Sequence, residues 1–135
     1  MGRFAALATT VGRSRARFGL AIALGLLARG AVAGSLVTPG YIITITANCE
    51  EGVVVCDDVV YRGVSRRSGK AIELRGRDVF RYCPEDHGDG PGGTPCHHLG
   101  YEFRGGSVTY FVGDNGALVV TDGDRVLLSE QGEWE

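Results

Sequence analysis

All four cysteines of this 135-residue chain, Cys49, Cys56, Cys83 and Cys96, lie after a leader that reads as an export signal. Exported thiols oxidise, so an even number of them in a short chain predicts two disulfides. A domain of this size buries only about 60–70% of its unfolded surface, so two staples of about 2–4 kcal/mol each weigh heavily in its stability. Cys83 and Cys96 enclose twelve residues, PEDHGDGPGGTP, with almost no core-forming side chains. A loop of that kind needs a bridge across its base, which favours Cys83–Cys96. Cys49 and Cys56 are close in sequence and meet first, yet a tight turn at residues 50–52 would leave them about 10 Å apart, beyond disulfide reach. Local pairing therefore requires a wider loop or a bulge. The alternative ties Cys49 to Cys83 or Cys96.

Residues 1–33 contain no acid and carry Arg3, Arg13, Arg15, Arg17 and Arg29. Within them residues 18–28 (FGLAIALGLLA) form an unbroken apolar run, followed by Ala31-Val32-Ala33. A basic start, a short apolar core and an A-x-A site make a secretory signal peptide, cut before Gly34. The run has about half the length needed to cross a bilayer, so no permanent membrane anchor is expected. The expected organisation is a signal peptide at 1–33, a linker at 34–40 and one β domain at 41–135. Without the leader's five arginines, nine bases face 16 acids and the net charge moves from −2 to −7. Seven of those nine bases fall between Arg62 and Arg81, while the last thirty residues hold Arg125 against six acids. An acidic chain of this kind argues against nucleic acid as a partner.

Residues 41–47 (YIITITA) alternate isoleucine and threonine, the signature of a half-buried strand. A second strand is expected at 53–61, a basic turn at 63–69 (GVSRRSG), and a strand at 70–74 that Gly76 ends before another at 79–82. Gly105-Gly106, Asp114-Asn115-Gly116 and Asp122-Gly123 then mark three turns at about ten-residue spacing, an antiparallel meander. Trp134 is placed to lid an open edge of the core. No window has a 3.6-residue apolar period, and the 22 glycines weigh against helix. The fold predicted is all-β: a small antiparallel barrel or sandwich of about seven or eight short strands, stapled by disulfides. Tyr101, Phe103 and Phe111 are expected in the core or as cross-strand partners, and Tyr82 and Tyr110 at the surface.

Chemistry-bearing residues gather between Arg81 and Gly106. Glu85, Asp86, His87, Asp89 and His97 form a candidate binding loop. His87, His97 and His98 are ligand types for copper or zinc. Neighbouring residues on a strand face opposite ways, however, which separates His97 from His98. Six serines occur, none in a G-x-S-x-G setting, and adjacent carboxylates such as Glu50-Glu51 and Asp57-Asp58 also diverge on a strand. Neither catalysis nor a cofactor is expected.

The run Cys56 to Gly63 (CDDVVYRG), with Ser68-Gly69-Lys70, Thr94-Pro95-Cys96, Gly100-Tyr101-Glu102-Phe103 and the hairpins to Leu128, resembles a group of uncharacterised small exported, β-rich proteins of Gram-negative bacteria. The resemblance runs from Cys49 to Trp134. It implies a β fold and a periplasmic or secreted location, and it brings no catalytic residues.

The reading that results is an exported binding protein whose partner is another protein or a cell-envelope component. One version is an inhibitor of a lysozyme-like or protease-like hydrolase, with residues 84–95 entering its cleft. The alternatives are a periplasmic metal-binding protein or a non-inhibitory envelope component.

Overall fold

A computed structural model describes residues 31–84 and 93–135. Nine strands are present: β1 Ala31–Val37, β2 Tyr41–Ala47, β3 Val59–Ser65, β4 Ala71–Cys83, β5 Thr94–Gly105, β6 Val108–Gly113, β7 Ala117–Asp122, β8 Arg125–Gln131 and β9 Glu133–Trp134. All pairings are antiparallel, in the order β8-β7-β6-β5-β4-β3-β2-β1-β9. Each strand from β1 to β7 therefore pairs with the next in sequence. The outermost strands of that order, β8 and β9, are separated only by Gly132. Their continuity brings the two edges of the sheet together into a nearly closed barrel, which removes most of the exposed edge a flat sheet would leave. Of the two architectures expected, barrel or sandwich, the barrel is found; β1 and β9 add to the expected strands, and those expected at 70–74 and 79–82 are one strand, β4.

Closure depends on close backbone approach. Leu36 pairs with Trp134 and Val37 with Glu133, and the Glu135 amide donates to the Ser35 carbonyl at 2.8 Å. At the joint, the Gly132 amide donates to the Gly116 carbonyl at 2.8 Å. A β-carbon on Gly132 would strike the Val37 carbonyl. The segment 34–40, expected as a linker, thus supplies part of β1 and the surface on which the barrel closes. Leu36 and Val37, which carry the β9 pairing, follow the proposed cut before Gly34. The signal-peptide expectation itself falls on residues that, up to 30, lie outside those described.

The core follows the period of two. Ile43 and Ile45 are buried on β2 while Thr44 and Thr46 are partly exposed, and Leu36, Val59, Tyr61, Phe103, Val112 and Leu118 complete the interior. Trp134 packs against this cluster and its Nε1 donates to the Gly113 carbonyl at 3.1 Å. Gly76 does not end a strand: β4 runs through it, and a β-carbon there would collide with the Glu102 carbonyl and the Phe103 ring. The gap admits the inward Phe103, a packing demand that makes glycine suit a strand interior.

Both disulfides are local. Cys49–Cys56 and Cys83–Cys96 each have Cα atoms 5.7 Å apart. The expected tight turn does form, with the Val53 amide donating to the Glu50 carbonyl at 3.2 Å, but it lies inside a wide loop between β2 and β3 instead of joining paired strands. Residues 48–58 form that loop, closed where the Asn48 amide donates to the Asp58 carbonyl at 2.9 Å. The strand expected at 53–61 accordingly starts later, at Val59, and the basic turn shortens to residues 66–69.

Candidate functional site

Antiparallel alternation puts the turns at 38–40, 66–70, 106–107 and 123–124 at one end of the barrel. At this end the interior opens into a cavity of about 410 Å³, whose lining includes Tyr41, Tyr61, Ser65, Lys70, Tyr110 and Leu118. Val120, Leu127 and Leu128 complete its apolar wall, with Ile72 and Gly63 beside the phenol of Tyr61. The size lies at the small end of the range for ligand sites. Its placement comes from register. Tyr41, Tyr61 and Tyr110 all face inward with the core residues Ile43, Val59 and Val112, two positions along their strands. Tyr110, read as a candidate for the surface with the core the commoner place for any one aromatic residue, is turned inward opposite Phe103.

Tyr61 is 2% exposed. Its ring lies 5.2 Å from Phe103 and 5.6 Å from Tyr110, centroid to centroid. Among the described residues none hydrogen-bonds its hydroxyl, and that oxygen is not sealed off but opens into the cavity. Gly63 makes the opening possible, since a β-carbon there would occupy the space beside the hydroxyl. Burial raises the Tyr61 phenol above the ordinary tyrosine range, and the neighbouring phenols of Tyr110 and Tyr41 raise it further. The group is a neutral hydroxyl, able to donate and to accept. Ser65 and Lys70 sit at the rim, and the Lys70 ammonium has no ion-pair partner among the described residues.

At the opposite end β4 and β5 outrun their neighbours. β3 pairs with β4 only as far as Gly76, and β6 with β5 only from Gly100. Residues 80–83 and 94–98 therefore pair with each other alone, as a two-stranded arm stapled by Cys83–Cys96. Two fastenings hold its base. On one side Asp78 and Cys56 exchange bonds: the Cys56 amide donates to Asp78 Oδ2 at 2.9 Å and the Asp78 amide to the Cys56 carbonyl at 2.8 Å. On the other, the Asp114 amide donates to the Leu99 carbonyl at 3.0 Å.

His98 spans the two. Its Nδ1 lies 2.7 Å from Asp114 Oδ2 and its Nε2 3.2 Å from Asp78 Oδ1. Phe80 and Tyr101 pack edge-on against the ring, each centroid 4.9 Å away. A neutral imidazole has one N–H and bonds one of these carboxylates; the imidazolium bonds both. Burial, with the Asp78 and Asp114 charges, raises the Tyr101 phenol. His98 is a clamp, with both nitrogens occupied. His97, on the other face of the strand, is exposed. His97 and His98 are thus divided, and among the described residues no group of three His, Cys, Asp or Glu side chains is arranged to hold a metal ion. Glu85, Asp86, His87 and Asp89 lie outside the described residues.

A wider concavity of about 480 Å³ on the outer face is lined by Asp57, Arg75, Arg77, Glu102 and Arg104. None of these side chains is buried. Arg75 bonds Asp58 at 2.9 Å, and Arg104 and Arg77 approach Glu102 at 3.7 and 4.0 Å. This is a solvated face with its charges paired. The tyrosine-lined mouth was missed from the sequence because it is assembled from six strands. The available signal was Gly63, two residues beyond Tyr61, leaving the inner face without a side chain.

The described residues contain no helix long and apolar enough to cross a membrane, and the two disulfides call for an oxidising environment. Compared with known families, characterised proteins and solved structures, the chain matches none.

Proposed function

We propose that this protein is a periplasmic or secreted binding protein, and that it holds a small ligand in the mouth of its barrel without converting it. The observation that carries this reading is the Tyr61 hydroxyl, which has no hydrogen-bond partner among the described residues and opens into a largely apolar cavity. A ligand oxygen there would complete a hydrogen bond that the fold leaves unmade. Among the described residues no carboxylate or imidazole lines the mouth, and the Tyr61 phenol there is held in its protonated form, which favours holding over turnover. The test uses a neutral fluorescent naphthylamine reporter. It is expected to brighten with the wild-type protein and to stay dim with Leu127→Trp, which fills the mouth from its exposed rim. Equal brightening with both, while Leu127→Trp still unfolds cooperatively, would refute the placement.

A second reading rests on the arm. Its stapled strands project past their neighbours and expose Tyr82 and Leu99, 54% and 38% accessible. Exposed aromatic side chains on a rigid support suit protein recognition, so the arm is the element that would enter the cleft of a lysozyme-like or protease-like hydrolase. Muramidase and protease assays with the protein in micromolar excess test this. Inhibition lost in Tyr82→Ala supports the arm, and full enzyme activity in both assays removes the inhibitor reading.

A further inference from the structure

The lining of the mouth is largely two-sided, apart from Ile72 of β4 beside the donors and the Tyr110 phenol of β6 beside the hydrocarbon. β2, β3 and the turn that follows contribute Tyr41, Tyr61, Ser65 and Lys70, all hydrogen-bond donors. β7 and β8 contribute Leu118, Val120, Leu127 and Leu128, all hydrocarbon. Among the described residues that line the cavity there is no carboxylate and Lys70 is the one ionic group, while the Glu130 carboxylate at this end of the barrel is engaged by the Gly40 amide at 2.7 Å. A cationic ligand would therefore meet like charge with nothing to pair it, whereas an acid would meet a cation and several hydroxyl donors. The Tyr61 phenol stays protonated, so it offers a proton and no competing negative charge. Lys70 is exposed, which suits an ammonium reaching over the edge of the cavity on a flexible stem. The basic residues of the adjoining turn, Arg66 and Arg67, make the same side of the mouth positive. Arg66 also fastens that turn to the first one, donating to the Thr38 carbonyl at 3.0 Å, so the donor side is braced.

We propose that the mouth takes a small amphipathic organic acid, its acid group held by Lys70 and the hydroxyls of Tyr41 and Tyr61, and its acyl or aryl body against Leu118, Val120, Leu127 and Leu128. This rests on the ligand-holding reading above and specifies its chemistry. The enclosed volume selects short chains or single rings over long-chain lipids.

The experiment is calorimetric titration of the wild-type protein with octanoate, octanol and octylammonium, three probes sharing one hydrocarbon and differing in charge. Octanoate is expected to bind about fivefold more tightly than octanol, the span of an ion pair at a partly exposed site, and octylammonium most weakly. Lys70→Gln should bring octanoate to the level of octanol. Tyr61→Phe should weaken octanoate about tenfold, the loss of one hydrogen bond to a charged group. The preference should also shrink at high salt. Octanol binding as tightly as octanoate would overturn the assignment of an acid while leaving the cavity as a ligand site. No heat with any probe, together with unmoved methyl resonances for Leu118 and Leu128, would overturn both.

Discussion

Tyr61 concentrates the physical tension in this molecule. Its ring belongs to the core, but its hydroxyl finds no protein partner among the described residues. Removing the hydroxyl alone should therefore cost little: Tyr61→Phe is expected to change stability by no more than about 1 kcal/mol in urea unfolding, in either direction. Tyr61→Ala, which removes the ring from between Phe103 and Tyr110, should cost about 3–5 kcal/mol. A loss above 3 kcal/mol for the phenylalanine variant would mean that the hydroxyl is bonded within the fold. The raised phenol has a pH consequence as well. In the unfolded chain tyrosine loses its proton near pH 10, whereas the folded state keeps it, so the folded state binds more protons there. The contribution is present in full below about pH 10 and is lost as pH rises above it, with a limiting slope of about 1.4 kcal/mol per pH unit for one such group. Alkaline unfolding should thus be shallower in Tyr61→Phe than in the wild type. Coincident profiles would contradict the burial assigned to this phenol.

Among the elements, the two stapled loops differ in what surrounds them. Loop closure alone gives each bridge roughly 2.5–3 kcal/mol. Cys56, however, is 5% exposed and bonded to Asp78 through its amide, whereas Cys96 is exposed. Replacing Cys49 and Cys56 by alanine should cost more, about 3–5 kcal/mol, than replacing Cys83 and Cys96, about 2–3 kcal/mol, despite the shorter loop. The opposite ranking in denaturant midpoints would put the weight on the arm. His98→Ala should release the arm's base: amide exchange along residues 78–83 is expected to quicken while β2 and β6 keep their protection. Uniform quickening would show that His98 supports the whole barrel. The strands were legible where alternation and turn chemistry agreed, as at Tyr41–Ala47 and the hairpin around Gly105-Gly106. They were misplaced where a long-range demand governed. Gly76 reads locally as a breaker but is retained for Phe103, and Val53 has β propensity yet lies in a disulfide loop.

For the whole molecule, closure decides what faces what. A meander closed by β9 on β1 turns Tyr110 inward and gathers side chains from β2, β3, β4, β6, β7 and β8 around one mouth. No local pattern carries that information, which is why the sequence pointed to the cysteine- and histidine-rich stretch instead. There, alternation correctly separated His97 from His98, while the carboxylates that engage His98 come from β4 and from the turn after β6, beyond the reach of local spacing. The two ends of the barrel are consequently distinct: an open mouth with three tyrosines, and an arm braced by a histidine and a disulfide. Methyl and amide NMR of the wild-type protein titrated with octanoate separates them directly. The shifts are predicted to centre on Leu118, Val120, Leu127 and Leu128, leaving Tyr82 and Leu99 unmoved. Shifts centred on the arm, or none at saturating ligand, would contradict a ligand site in the barrel mouth.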